Sequence, residues 1–289
     1  MSYVKGLDAS SIQGNLPIKG LYEDGCRFLI HKCKQGNDAR DKFFDRNTDA
    51  AKAAGMYTGA YHFLYPLPHL NPEKQAEGFF EASSMGATSG ELPPSLDLEW
   101  PDPDKGFINW GCTPEQVCDW ARRCAERTEE LFGRKPMIYT YPYFASKLFR
   151  PALASCEWVA DYPLWIASYA ANPIVPKPWS TWTVWQSDGN GGKKMPNGID
   201  ADFDVFNGEM CDLEAFVGAT HERHGSVTSI VDIQLALSIL GYHAGPKDGV
   251  YGAMTRAAIM AFQADTDLSV DGVAGPKTKA ALLERVGGQ

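Results

Sequence analysis

No apolar run in this 289-residue chain approaches the roughly 20 residues that a membrane-spanning helix needs. Runs such as Phe28 to Ile30 are typical, so no membrane anchor is expected. The opening MSYVKGLDASS also lacks the basic and then apolar profile of a secretory signal, which predicts a protein that starts in its maker's cytoplasm. Lysine and arginine nowhere form a run, and the net charge is −9. Phosphate backbones are attracted by basic faces, so nucleic acid is excluded as a partner. The seven cysteines, Cys26, Cys33, Cys112, Cys118, Cys124, Cys156 and Cys211, form no CxxC pair and join no histidine at zinc-ligand spacing. They read as reduced thiols. Cys26 and Cys33 bracket the strand-like CRFLIHKC, which would hold their Cα atoms about 23 Å apart at about 3.3 Å per residue, too far for a bond. GxGxxG, Walker A, HExxH and GxSxG are all missing, which removes the dinucleotide, P-loop, zinc-protease and serine-hydrolase readings. No cofactor and no metal are expected.

What is present is a soluble globular composition, 44% hydrophobic and 22% charged, long enough for one large unit and one small one. From residue 3 to about 207, β-rich runs alternate with helical ones, the pattern of an α/β chain built of βα units. The strand candidates are Tyr3 to Ala9, Arg27 to Lys32, Tyr57 to Tyr65, Ser95 to Trp100, Met137 to Tyr141, Leu164 to Tyr169, Trp182 to Gln186 and Asp202 to Phe206. Eight strands predict a β/α barrel of the TIM-like kind. Phe43 to Ala54 reads as a helix stopped by Gly55. Thr113, Pro114 and Gln116 supply the N-cap, first-turn proline and capping-box partner of a longer helix that Gly133 ends. After Leu164 the loops are rich in proline and glycine with little helical pattern, so the barrel should be irregular late in the chain.

Gly218 to Ser226 is small, polar and linker-like. Its His221 and His224 are better read as solvated than as metal ligands. Beyond it the composition changes. All eight tryptophans lie between Trp100 and Trp185, and from Ser226 onward the aromatics are Tyr242, Tyr251 and Phe262. DGVYGAMTRAA from Asp248 matches DGVAGPKTKAA from Asp271, a repeat with a period of 23 residues. Each copy reads as an Asp-Gly turn followed by a helix. Ile230, Ile233, Leu237 and Leu240 place one apolar stripe on a helix ahead of them. The expected organisation is a barrel over 1–217, a linker over 218–226 and a small all-α, three-helix domain over 227–289.

The densest acidic signal is SLDLEW at 95 to 100. Residues i and i+2 of a strand share a face, so Asp97 and Glu99 point the same way with Cα atoms about 6.5 to 7 Å apart, while Leu96, Leu98 and Trp100 take the other face. Two acids pressed together in a partly desolvated site split their pKa values and can leave one protonated near neutrality as a general acid. That suits cleavage of a glycosidic bond. By itself D-x-E is also an ordinary half-exposed strand. Barrel sites collect at strand ends, and here Asp8 closes the first strand, Tyr61 lies in the third, Tyr139 in the fifth, Trp185 and Gln186 end the seventh and Asp202 opens the eighth. Acids beside aromatics favour a carbohydrate ligand, whose ring faces stack and whose hydroxyls need acceptors.

Seven segments in order, GLDASSIQG (6–14), FLIHKCKQGND (28–38), AAGMYTGAYHF (53–63), SLDLEW (95–100), LWIASY (164–169), WTVWQS (182–187) and DADFDVFNG (200–208), resemble the successive motifs of the family-25 glycoside hydrolases, the Chalaropsis-type lysozymes. The resemblance implies an irregular eight-stranded barrel that hydrolyses the β-1,4 bond from N-acetylmuramic acid to N-acetylglucosamine in bacterial peptidoglycan. It implies Glu99 as general acid, Asp97 as its partner, Asp8 as the early aspartate and Asp202 as the late one, with Asp204 a competing choice for that last role. Tyr61, Tyr139, Trp165, Trp185 and Gln186 match sugar-contacting positions. Two residues depart from the pattern: Gln35 stands for the usual glutamate and Asp204 for the common asparagine. Residues 226–286 resemble the three-helix peptidoglycan-binding module of wall hydrolases, through Gln234, the Asp248 to Thr255 turn with Gly249, Phe262-Gln263, and the Asp271 to Thr278 turn with Gly272. Barrel and module together resemble a phage endolysin, a monomer held in the host cytoplasm until a holin releases it. Because the D-x-E pair shares one strand, retention through the substrate's own acetamido group is the expected route and inversion its rival. A catalytically inactive wall-binding protein and a chitinase-like glycosidase are the other readings.

Overall fold

A computed structural model describes residues 3–85, 90–99, 111–189, 194–195, 197–198, 200, 202–218, 227, 230–245 and 251–287. The chain divides into two compact units, Met1–Ala219 and Thr220–Gln289. In the first, strands β1 (Val4–Ala9), β2 (Cys26–Gln35), β3 (Tyr57–Phe63), β4 (Ser95–Asp97), β5 (Met137–Thr140), β6 (Leu164–Ala167), β7 (Val184–Asp188) and β8 (Asp202–Phe206) close a barrel in sequence order. Helices α1 (Ile18–Glu23), α2 (Phe44–Ala53), α3 (Pro72–Ser83), α4 (Pro114–Phe132), α5 (Pro142–Leu148), α6 (Leu153–Cys156) and α7 (Met210–Phe216) surround it. No described helix is long and apolar enough to cross a membrane.

Local signals explain the elements. In α4 the Thr113 hydroxyl accepts from the Gln116 backbone N–H at 3.3 Å and the Gln116 side chain accepts from the Thr113 N–H at 2.8 Å, a reciprocal cap. Gly133 ends the helix at φ +66°, where any Cβ would be strained. Strands β1 to β7 pair in parallel, whereas β8 runs antiparallel to both β7 and β1. The irregularity expected late in the chain takes this form: β6 returns to β7 through residues 168–183 without a helix, and β8 then closes the barrel upside down.

Side-chain alternation divides the barrel interior into layers. Below the mouth, Val4, Phe28, Ile30, Met137, Trp165, Val184 and Phe206 pack together. The Phe28 ring crosses Gly6 so closely that a Cβ there would stand 2.4 Å from it, which makes glycine obligatory. A second cluster fills the space between barrel and helices α3 to α6, with Phe79, Phe132, Phe144 and Phe149 at its heart.

One expectation is corrected. Cys118 and Cys156 are not reduced thiols but a disulfide, their Cα atoms 5.6 Å apart, inside the bridging window of about 4.4–6.8 Å. The inner face of α4 meets α6 there, a contact between residues far apart in sequence. Cys26, Cys33, Cys112, Cys124 and Cys211 form no disulfide among the described residues, with Cys26 and Cys33 at intervals along β2 as expected.

The second unit holds helices α8 (Ile230–Ile239), α9 (Ala253–Asp265) and α10 (Pro276–Gly287) around Ile233, Leu237, Ile259, Phe262 and Leu282. The repeat has a polar lock. Buried Gln234 donates to Thr255 at 3.0 Å, and one repeat later buried Gln263 donates to Thr278 at 3.1 Å. Gln263 also donates to Asp271 at 2.9 Å and Val273 O at 3.0 Å and accepts from Gly272 N–H at 2.9 Å, pinning the turn in which Gly272 has φ +70°. Asp248, Gly249, His221 and His224 lie outside the described residues, as does most of 218–226. Truncating Gln263 would strand several of these buried groups, at about 2 kcal/mol. In calorimetry of the whole chain, Gln263→Ala should lower the transition of the small unit by roughly 10 °C and leave that of the barrel in place; an unchanged pair of transitions contradicts the lock.

Candidate active site

A cavity of about 890 Å³ opens at the barrel mouth. Its walls follow strand parity: Asp8 from β1, Lys32 from β2, Tyr61 and Phe63 from β3, Asp97 with Glu99 just past β4, Tyr139 from β5, Trp165 and Ala167 from β6, Gln186 from β7 and Asp202 from β8. Every one is an alternate residue on its strand, hence inward-facing. The strand expected over Ser95 to Trp100 ends at Asp97, but the Leu98 N–H still bonds to Tyr139 O at 2.9 Å, so Glu99 keeps the inward direction while standing above the ladder. Trp100 lies outside the described residues.

The reversed β8 settles how Asp202 joins the site. At the start of a parallel eighth strand it would lie at the opposite end of the barrel. Running antiparallel, β8 pairs Asp202 with Asp8 and Asp204 with Gly6, so Asp202 arrives at the mouth and lines the cavity while Asp204 sits one layer deeper, 1% exposed.

Gln186 organises the floor. Its amide N–H donates to Asp8 Oδ2 at 2.5 Å, and its carbonyl accepts from Tyr169 at 2.8 Å and Tyr139 at 3.3 Å. Trp165 packs edge-on to Tyr139 and Tyr61, with ring centroids 4.7 and 5.9 Å apart, and its indole N–H donates to Asp204 at 2.9 Å. Trp185, expected to contact sugar, is not brought to the cavity. Next to Gln186 on its strand, it faces the other way, gives its N–H to Ser168 O at 2.6 Å and packs on the outer core.

Sequence reasoning passed over Lys32 and Tyr169. Lys32 lies four residues beyond Phe28 and two beyond Ile30 on the inward face, so parity carried the signal. Its ammonium donates to Gln35 at 3.1 Å and lies over the Phe63 ring, and Gln35 in turn bonds to the Tyr65 hydroxyl. A neutral amide at position 35 therefore holds the cation without cancelling its charge.

Burial dominates the electrostatics. Desolvation and then the charge of Asp204 push Asp8 well above the ordinary carboxylate range. Desolvation and Glu99 do the same to Asp97, against a smaller opposing pull from Lys32. Glu99 is raised from 4.5 to about 7, by burial above all, with Lys32 opposing and Asp202 assisting. Burial and the neighbouring acids hold Tyr61 and Tyr139 as neutral phenols. The cleft can thus offer a proton from Glu99 near neutrality, beside a second acid, Asp97, whose Oδ1 is buried with no hydrogen-bond partner among the described residues.

A closed β/α barrel whose mouth gathers proton-holding acids between aromatic walls is the framework of a glycoside hydrolase. The chain belongs to one family of them: residues 7–194 match the model of Glycosyl hydrolases family 25. Residues 226–282 match that of a peptidoglycan binding domain. An N,O-diacetylmuramidase from Chalaropsis sp is 32% identical over 192 residues, 64% of this chain and 87% of that protein. The autolytic lysozyme of Clostridium acetobutylicum is 29% identical over 286 residues, 97% of this chain and 79% of that one. The crystal structure of the lysozyme from Streptomyces coelicolor superposes with a TM-score of 0.66 at 29% identity, covering 76% of this chain and 99% of that one.

The raised Glu99 has a consequence for stability. Between its ordinary 4.5 and about 7 the folded barrel keeps a proton that the unfolded chain has released, so stability falls as pH rises through that window. Glu99→Gln, neutral at every pH, escapes the penalty. It should melt above wild type at about pH 8, by on the order of 1–3 kcal/mol, with the advantage vanishing below about pH 4.5. Equal melting at both pH values would refute the buried-acid assignment.

Proposed function

We propose that this chain is an endolysin-type lysozyme that hydrolyses the β-1,4 bond between N-acetylmuramic acid and N-acetylglucosamine, with its C-terminal unit holding it on the peptidoglycan. The observation that carries the reading is the pairing of Glu99, an acid poised near neutrality, with Asp97 at the end of the same strand. In the same reading the protein works as a monomer, and release from a host cytoplasm depends on a holin. The family match and the wall-binding module support peptidoglycan as substrate.

In the chemistry we assign, Glu99 gives its proton to the glycosidic oxygen as the bond to the anomeric carbon breaks. The 2-acetamido carbonyl oxygen of the sugar attacks that carbon from the opposite face, while Asp97, helped by Asp202 or Asp8, holds the acetamido N–H and stabilises the charge that develops. Glu99, now a carboxylate, takes a proton from water as it opens the cyclic intermediate, giving net retention. Asp97 and Glu99 rise from one strand and so lie on one side of the bond, which leaves them badly placed as a flanking nucleophile and acid. Tyr61, Tyr139 and Gln186 line the floor where sugar hydroxyls would bond, with Trp165 buttressing them. Exposed Tyr143, Tyr169, Ile12 and Ile174 at the rim offer apolar surface to further sugar rings. In the small unit, the turn at Asp271 and Gly272 that Gln263 pins, with Asp248 and Gly249 in the first repeat, is assigned to the wall-binding surface.

Glu99→Gln removes the proton donor with little change of volume, and general acid catalysis alone contributes about 10²- to 10⁴-fold. Clearing of a suspension of purified sacculi by the variant should fall at least about a hundredfold. Mass spectrometry of the wild-type products should find N-acetylmuramic acid at the reducing end. N-acetylglucosamine there would point to a chitinase-like specificity, and no products at all to an inactive wall-binding barrel.

The stereochemical expectation is checked by NMR of the first-formed product. A β anomer at early times supports participation of the acetamido group. An initial α anomer means inversion, with Asp8 or Asp202 activating water across the cleft, and removes the role given to Asp97.

A further inference from the structure

Among the described acids of the barrel mouth, Asp204 is the one that does not line the cleft. It accepts the Trp165 indole N–H at Oδ1, 2.9 Å away, and is 1% exposed. Its Oδ2 is buried and no donor reaches it among the described residues. Across the β1–β8 ladder, which pairs Asp204 with Gly6 and Asp202 with Asp8 on one inward face, Asp204 meets the Asp8 carboxyl, itself buried and already accepting from Gln186. An ionised carboxylate can only accept, so two ionised groups at this approach would repel in a medium that screens poorly and leave a buried oxygen unsatisfied. One proton between them turns the same approach into a charge-assisted hydrogen bond.

We propose that Asp204 is a positioning residue that shares a single proton with Asp8, so that the pair carries one negative charge and Asp8 is fixed from below by Asp204 and from the side by Gln186. The proposal rests on the assignment of Asp8 to the working cleft. The groups facing Asp204 leave no other source of relief. Asp202 on its own strand adds negative charge, and Cys26 from β2 and Tyr169 beyond β6 are neutral titratable neighbours. No cation faces it among the described residues. Burial and Asp202 accordingly raise Asp204 to about 8. The pair is a coupled unit, so the proton belongs to both groups rather than to either.

Infrared spectroscopy tests this without reference to hydrolysis. In an Asp97→Asn/Glu99→Gln protein, which lacks the two other acids raised among the described residues, a carboxylic-acid carbonyl band should persist at about pH 7 and disappear when Asp204→Asn is added, because the amide N–H then supplies what the shared proton supplied. Absence of that band at about pH 7, or its survival in the triple variant, overturns the proposal whatever the enzyme cleaves. A kinetic arm in the otherwise native chain separates positioning from packing. Asp204→Asn should keep kcat within about threefold of wild type on the acid side. Asp204→Ala, of smaller volume and without a donor, should lose about tenfold or more in kcat with less change in KM. The alkaline limb of kcat/KM should steepen toward two ionisations in wild type, Glu99 and the pair, and show one in Asp204→Asn. A loss in Asp204→Asn as large as in Asp204→Ala would mean that Asp204 works ionised and would refute the shared proton.

Discussion

The repulsion among acids that a closed barrel forces together governs this structure. Asp8, Asp97, Asp202 and Asp204 arrive on three strands, β1, β4 and β8, and Glu99 stands just past β4, in a space where burial denies them the water that would screen their charges. The fold cannot relax by spreading them, since the barrel register fixes each Cα. It relaxes by holding protons instead, and this is the state a glycosidase needs: at least one acid able to give a proton at neutrality. The neighbours all bear on that balance. Lys32 adds the positive charge that keeps Glu99 near 7 rather than higher, and Gln186 supplies a donor that favours ionised Asp8.

That Lys32 is partnered by an amide matters for the same reason. A carboxylate at position 35 would sit on the ammonium and blunt its field at Asp97 and Glu99. Gln35 holds it through its amide oxygen and takes nothing from its charge. The departure from the usual glutamate is therefore not silent electrostatically: the cation of the cleft is directed at the acids. Tyrosine is suited to the remaining wall because its hydroxyl stays neutral among acids and so can donate, as Tyr139 and Tyr169 do to Gln186.

Much of this was legible in the amino-acid sequence, and what was not has physical reasons. The two-residue period placed Asp97 and Glu99 together, and the Thr113 to Gln116 cap and the Asp271-Gly272 turn were local signals read locally. The direction of β8 was not local. A strand does not encode which way it runs, and nothing in DADFDVF separates an antiparallel closure from a parallel one; only the helix-poor stretch before it hinted at a shorter return. Trp185 matches a sugar-contacting stretch of the family together with Gln186, yet adjacent residues on a strand face opposite ways, so an inward Gln186 already places Trp185 outside. Lys32 was overlooked because a single lysine in an apolar strand resembles an edge residue until the acids opposite it are known. The Cys118 to Cys156 bond depends on how two helices pack, which spacing does not reveal.

The two units meet the same problem, a polar group inside, in opposite ways. In the small unit Gln234 and Gln263 are buried with their bonding capacity turned inward, onto Thr255, Thr278 and the turn at Asp271 and Gly272. A domain of this size has little apolar core, so a fully satisfied polar lock gives it a unique turn geometry that packing alone would leave loose. In the barrel, where the core is large, Asp97 Oδ1 is buried without a partner among the described residues, and Asp204 is met by the Asp8 carboxyl rather than by a neutral donor. A pinned turn in the small unit and proton-holding acids in the large one thus follow from how much apolar surface each can bury around its polar residues.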